Sequence, residues 1–246
     1  MAIISSISRV GTSEPFELQV SRNQVGWHYP LFKYGYNPLI INVNETIWDG
    51  GGIYSYPASA LAMTVTSAGG ATDEDVRVTV IGLDTDWKEV QQEVTLDGSG
   101  VATTTQTFRR VFRAYVSGDQ SPTGNITIAN GGTTYAQITN GENQTLMAVY
   151  TVPAGHTFYL TNGTATHGTG TSGGVFMTVR FMLREFGGVF RTATKIDIVE
   201  SEVLFPFTFP LRIPEKSDIE VRAICNKNQN NAVSATFEGV LIWNGD

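Results

Sequence analysis

The sequence predicts an all-β protein: two antiparallel β-sandwich or jelly-roll regions with an extended N-terminal arm. From about Ala60 to Trp243, runs rich in Val, Ile, Thr and Phe are split every few residues by Gly, Pro, Asn and Asp, which is the punctuation of strands and turns. No convincing helix appears. Charged residues make up only 16% of the chain, and Gly accounts for 26 of 246 residues. That composition suits sheets whose exposed faces carry small polar side chains.

Taken in order, residues 1–52 read as an arm and lead-in. Alternation is weak there, and Trp27, Tyr29, Phe32, Tyr34 and Tyr36 cluster among glycines and Pro30. Trp48–Gly52 reads as a turn. A first sandwich is expected over 53–139. Ala62–Thr66 and Val76–Ile81 alternate, Gly82–Asp86 turns into Trp87–Leu96, and Asp97-Gly98-Ser99-Gly100 turns into Val101–Val116. A second sandwich or jelly roll is expected over 140–246. Leu146–Val152 and Thr157–Thr161 flank Pro153-Ala154-Gly155, and Val175–Phe186 and Val189–Ile198 flank Gly187-Gly188. Ile219–Cys225 and Val233–Trp243 complete it. In Leu204–Pro214, Phe205, Phe207, Phe209, Leu211 and Ile213 fall on one face, and Pro206, Pro210 and Pro214 on the other. Prolines at even spacing remove donors along a single edge, so this is an edge strand with an apolar inner face.

Composition excludes several functions. Net charge is −7 with scattered Lys and Arg, against a nucleic-acid partner. No apolar stretch would span a membrane, and the N-terminus lacks a signal-peptide pattern, so synthesis in a cytoplasm is expected. One cysteine excludes an internal disulfide, and Cys225 shares a strand face with Ile219, Val221 and Ala223 as a small core residue.

No catalytic, cofactor or metal site is expected. His28, His156 and His167 have no metal-ligand spacing with one another or with Cys225. His156 falls in a hairpin turn and His167 in a Gly/Thr loop, so both are expected to face solvent. Nucleophile-elbow, phosphate-loop and dinucleotide motifs do not occur, and Gly168–Gly174 reads as a flexible turn. Asp84, Asp86 and Glu89 open like a calcium loop without its glycine and distal glutamate, so they read as turn residues.

Two strands look like contact surface. In Phe108–Val116, alternation turns Arg110 inward beside Phe108, Phe112 and Ala114. It must then either pair with a carboxylate inside the protein or meet another subunit. In Val175–Phe186, one face combines Phe176, Arg180, Met182, Arg184 and Phe186, the mixture enriched at protein interfaces. The aromatic arm, with Trp27, Tyr29, Tyr34 and Tyr36, reads either as an anchor onto a neighbour or as a sugar-stacking surface.

Several segments together carry a resemblance. They are Phe16–Val20, Glu45–Gly51 followed by Tyr54–Pro57, Ile81–Asp84, Gln92–Gly98, Phe108–Tyr115, Val152–Gly155 and Ile213–Arg222. In combination they resemble virion structural proteins of marine tailed bacteriophages, especially small-headed phages of cyanobacteria and related hosts. The resemblance implies a non-enzymatic particle protein, made in an infected bacterium and assembled onto capsid or tail, with no catalytic residues to carry over. The expected function is a capsid decoration (cement) protein, a homotrimer bound to the major capsid protein or another virion protein. The alternative is a tail-fibre, head-fibre or collar protein that binds cell-surface glycan.

Overall fold

The computed structural model describes residues 14–168, 174–199, 202–228 and 230–245. The chain begins with a short helix α1 (Phe16–Ser21), then β1 (His28–Ile40) and β2 (Glu45–Thr46). It continues through β3 (Leu61–Ser67), a 3-10 turn at Gly70–Asp73, β4 (Arg77–Leu83), β5 (Glu89–Thr95), β6 (Val101–Phe108), β7 (Arg110–Val116), β8 (Ile126–Asn130) and β9 (Thr133–Ile138). After these come β10 (Val149–Thr151), β11 (His156–His167), β12 (Met177–Arg184) and β13 (Arg191–Ile198). The last strands are β14 (Glu202–Ile213), β15 (Asp218–Cys225) and β16 (Asn231–Trp243).

Two sandwiches result, as the alternation requires. In the smaller, a sheet ordered β6-β3-β8-β9 faces a sheet ordered β5-β4-β7, across a core that includes Met63, Val65, Val78, Val80, Phe108, Ile126 and Ile128. In the larger, β1-β16-β11-β14 faces β10-β15-β12-β13, with β2 added to β15. Phe158, Phe181, Val221 and Phe237 fill the space between those sheets, and the Phe181 and Phe237 rings meet edge to face at 5.6 Å. Burying such side chains stabilises the fold by about 1.5–3 kcal/mol each.

The N-terminal segment departs from the expected arm. Residues 28–40 are a 13-residue strand, β1, running antiparallel to the C-terminal β16 with His28 opposite Ile242 and Asn37 opposite Val233. Glycines and prolines hid this strand. Pro30 and Pro38 are tolerable because β1 lies at the sheet's edge. Gly35 is required because a Cβ there would come within 2.3 Å of the Ala148 amide and the Ile47 carbonyl. Phe16–Val20 is helical rather than extended. The expected arm over residues 1–13 and the flexible turn over 169–173 lie outside the described residues.

The larger sandwich therefore takes strands from both sides of the smaller, whose strands β3–β9 form between β2 and β10. The run Val101–Val116 is two strands in different sheets, broken at Arg109. Opposite Gly82 the register slips, so that Ile81 faces Arg113 while Gly82 faces Val111. The extra residue is Phe112, whose side chain turns into the larger sandwich's core while Val111 and Ala114 stay in the smaller one. Gly82 allows this close approach: a Cβ there would sit 1.8 Å from the Arg110 carbonyl oxygen.

β14 is the edge strand the prolines indicate, with β11 as its only neighbour among the described strands. Phe205, Phe207, Leu211 and Ile213 pack on the core, but Phe209 is 87% exposed. Leu160 pairs with Leu211 and Asn162 with Pro206, so residues 207–210 bulge out opposite Thr161, and the bulge breaks the alternation at Phe209.

Candidate functional site: a polar joint and an aromatic edge

Arg110 begins β7 and Asp218 begins β15, one from each sandwich. Both are buried. Arg110 donates from Nε to Asp218 Oδ1 at 2.7 Å and from an Nη to Oδ2 at 3.1 Å, and its other Nη donates to the carbonyls of Pro57 and Arg109. Arg184 donates to the same Oδ2 through Nε and Nη at 3.0 and 2.6 Å, and the Thr151 hydroxyl donates to Oδ1 at 2.7 Å. Of the two fates open to an inward Arg110, the internal carboxylate is the one realised.

Beside this pair, Glu220 accepts from Arg222 Nε at 2.7 Å and from the Thr46 hydroxyl at 2.9 Å. Burial pushes the Glu220 carboxyl up, and Arg222, Thr46 and Arg184 pull it back. Aromatic rings lie between the guanidinium groups. Trp87 has Arg109 and Arg110 each at 4.8 Å, Tyr56 has Arg110 at 5.1 Å and Arg184 at 4.6 Å, and Phe190 has Arg184 at 4.5 Å and Arg222 at 4.9 Å. Alternating planar cations and ring faces form one stack that joins the sandwiches.

The face expected to mix Phe176, Arg180, Met182 and Arg184 is thus largely committed within the chain. Met182 is buried and accepts a bond from the Thr192 hydroxyl. Arg180 donates to Asn44 Oδ1 at 3.2 Å. Phe176 remains exposed. Sequence could show that Arg110 turned inward, but not that Asp218, Arg184, Tyr56 and Trp87 would surround it.

Trp27 and the aromatic residues of β1, which it precedes, form an edge instead of an arm. Trp27 is 60% exposed and rests on Trp243, with ring centres 4.4 Å apart. Tyr29 and Tyr34 are exposed, Phe32 is 61% exposed, and Tyr36 is half-buried. Behind them lies a cavity of about 590 Å³ whose lining includes Tyr29, Phe32, Lys33, Phe112 and Tyr150. Lys33 is buried there, donating to the Phe112 carbonyl, and burial pushes its amine down to about 7. Asp49 Oδ1 is buried without a partner and Oδ2 accepts from the Thr139 hydroxyl at 3.3 Å, so burial raises that carboxyl to about 7.

These two groups set opposite pH slopes. Between about pH 4 and 7, folded Asp49 holds a proton that the unfolded chain has lost, so stability falls as pH rises. Between about pH 7 and 10.5, the unfolded chain protonates Lys33 and the folded one does not, so stability rises with pH. A stability minimum near neutrality is expected, with each arm worth a few kcal/mol. Urea midpoints across pH 4–10 should lose the acid arm in Asp49→Asn and the alkaline arm in Lys33→Met.

Other residues singled out from sequence do structural work. Asp84 Oδ1 accepts from the amides of Asp86 and Lys88, closing its turn. Cys225 is buried, with Asn231 donating to its sulfur at 3.2 Å. His156 is half-buried beside Tyr29. His167 is buried rather than solvated, because it ends β11 with its ring near the Val199 carbonyl. Among the described residues, no group of three or more His, Cys, Asp or Glu side chains could hold a metal ion, and no helix is long and apolar enough to cross a membrane.

No protein-family model and no curated protein sequence matches the chain. The chain is similar, at low TM-scores, to solved structures of infectious bursal disease virus. With the Gx strain structure it shares 12% identity over 89% of this chain and 72% of that one, at a TM-score of 0.28. With the VP2 subviral particle of the same virus the figures are 12%, 90% and 73%, at a TM-score of 0.24.

Proposed function

We propose that this chain is a non-enzymatic virion structural protein of the capsid decoration type, attached through the aromatic edge of β1. The observation that carries the reading is the concentration of exposed apolar side chains there: Trp27, Tyr29, Phe32, Tyr34 and Leu39 are all exposed within one 13-residue stretch. Scattered surface apolar residues are ordinary, but a run of large aromatics on one edge fits a protein partner. The ion-paired joint supports the reading too, since two sandwiches tied by buried charges form a stiff body suited to clamping neighbours. The sequence resemblance to phage virion proteins points the same way. The partner would be a major capsid protein or another virion protein, and the assembled form a homotrimer.

Gold-labelled antibody counted on purified virions tests the placement. Label spread over the head is expected, whereas label confined to one vertex or the tail overturns decoration. The attachment edge is tested by Trp27→Ser with Phe32→Ser, which should weaken binding to depleted particles at least about tenfold, since anchor residues carry most interface energy. Circular dichroism should be unchanged, because both side chains are exposed. Full binding by the variant would place the attachment elsewhere.

A second reading rests on Trp27. Its ring lies against Trp243 and remains 60% exposed, which suits stacking on a sugar. Glycan-array binding abolished by Trp27→Ala would favour a host-recognition role on a fibre or collar.

A further inference from the structure

We propose that the cleft between the two sandwiches is an oxyanion site in which Arg109 and Lys216 grip a carboxylate or phosphate. The cleft holds about 320 Å³, and its lining includes Trp87, Arg109, Arg110, Phe186, Lys216 and Asp218. It lies at the Trp87 end of the arginine–aromatic stack.

Charge is unbalanced at this end. Asp218 is consumed by Arg110 and Arg184, and Glu185 pairs with Arg191 at 3.1 Å. Neither Arg109 nor Lys216 makes a side-chain hydrogen bond or ion pair among the described residues, and Arg109 Nε is buried without a partner. That Nε is closed off from the cleft, so the terminal guanidinium nitrogens, which are not among the buried unpartnered atoms, are the donors an anion there can reach.

The aromatic corner brings the two free cations together. Trp87 and Phe186 meet edge to face at 5.5 Å and 88°. Arg109 sits over Trp87 at 4.8 Å and Lys216 over Phe186 at 5.8 Å. A guanidinium fork and an ammonium on adjoining walls match the oxygens of a small anion, and the rings exclude water from one side of it. The volume admits inorganic phosphate or a glutamate side chain.

Titration calorimetry with the full chain decides the matter, using inorganic phosphate in one arm and N-acetylglutamate amide in the other, against chloride at matched ionic strength. At least one anion should bind with one-to-one stoichiometry, and Arg109→Gln and Lys216→Met should each weaken it about tenfold or more, as for loss of one charge-assisted pair. Phosphate binding alone assigns the site to a free ion, and binding of the glutamate analogue assigns it to a protein carboxylate. Chloride-like heats for both anions, or variants that bind as the parent does, overturn the proposal. Matching circular dichroism spectra of both variants and the parent exclude misfolding as the cause of a loss. The outcome is independent of where the protein sits on a particle.

Discussion

Replacing Asp218 by asparagine lowers the unfolding midpoint by roughly 10 °C. The substitution leaves the Arg110 and Arg184 guanidiniums facing a neutral amide, and Arg110 is buried. Breaking a buried pair by removing one partner typically costs about 3–5 kcal/mol, because the surviving charge stays desolvated. In a chain of this length each kcal/mol moves the midpoint by about 2–4 °C. Calorimetry of Asp218→Asn measures the loss, and Arg110→Met combined with Asp218→Leu should recover part of it, since that pair removes the two most buried charges together and leaves only the partly exposed Arg184 without its carboxylate. A midpoint within about 2 °C of the parent in Asp218→Asn would mean that water or another group replaces the carboxylate. The same experiment reports on the joint, because Arg110 and Asp218 belong to different sandwiches and are 108 residues apart in sequence.

Truncation at the N-terminus should give a sharp boundary. A chain starting at His28 loses α1 and the Trp27–Trp243 contact, and should fold with reduced stability. A chain starting at Ile41 loses β1 entirely, including buried Ile40 and half-buried Leu31, and exposes β16 along its length. Total stabilities of about 5–15 kcal/mol cannot absorb the loss of a whole strand from a core sheet, and an unpaired edge of this length favours aggregation. The shorter product should be recovered only as insoluble protein, as read by its soluble fraction and circular dichroism. If it folds and stays soluble, β1 is a detachable arm after all. This boundary is also why point substitutions on β1, not its deletion, must test particle attachment.

The difference between arm and strand shows what sequence reading reaches. The hairpin at Gly187-Gly188 joins β12 to β13 as expected, because its turn and alternation signals lie in neighbouring residues. β1 carries two prolines and a glycine that weaken every local strand signal, and only its pairing with β16 makes it a strand. Phe112 alternates toward the small core by count, yet a slip of one residue at Gly82 sends it into the other core. Phe209 fails through a larger irregularity, where residues 207–210 of β14 stand opposite Thr161 alone. Residues added to one strand of a pair shift its faces, and nothing in the period-two pattern of that strand alone announces them.

By itself the sequence determined the all-β class, most turns, the edge character of β14 and the inward direction of Arg110, because each follows from side chains a few residues apart. Tertiary structure decided that the larger sandwich takes strands from both sides of the smaller one in sequence, that Asp218 receives both Arg110 and Arg184, and that Arg109 and Lys216 line a cleft whose carboxylates, Asp218 and Glu185, pair with other arginines. Those outcomes depend on which distant strands pair and in what register, and the free energy that selects them comes from burial and charge pairing among residues remote in the chain.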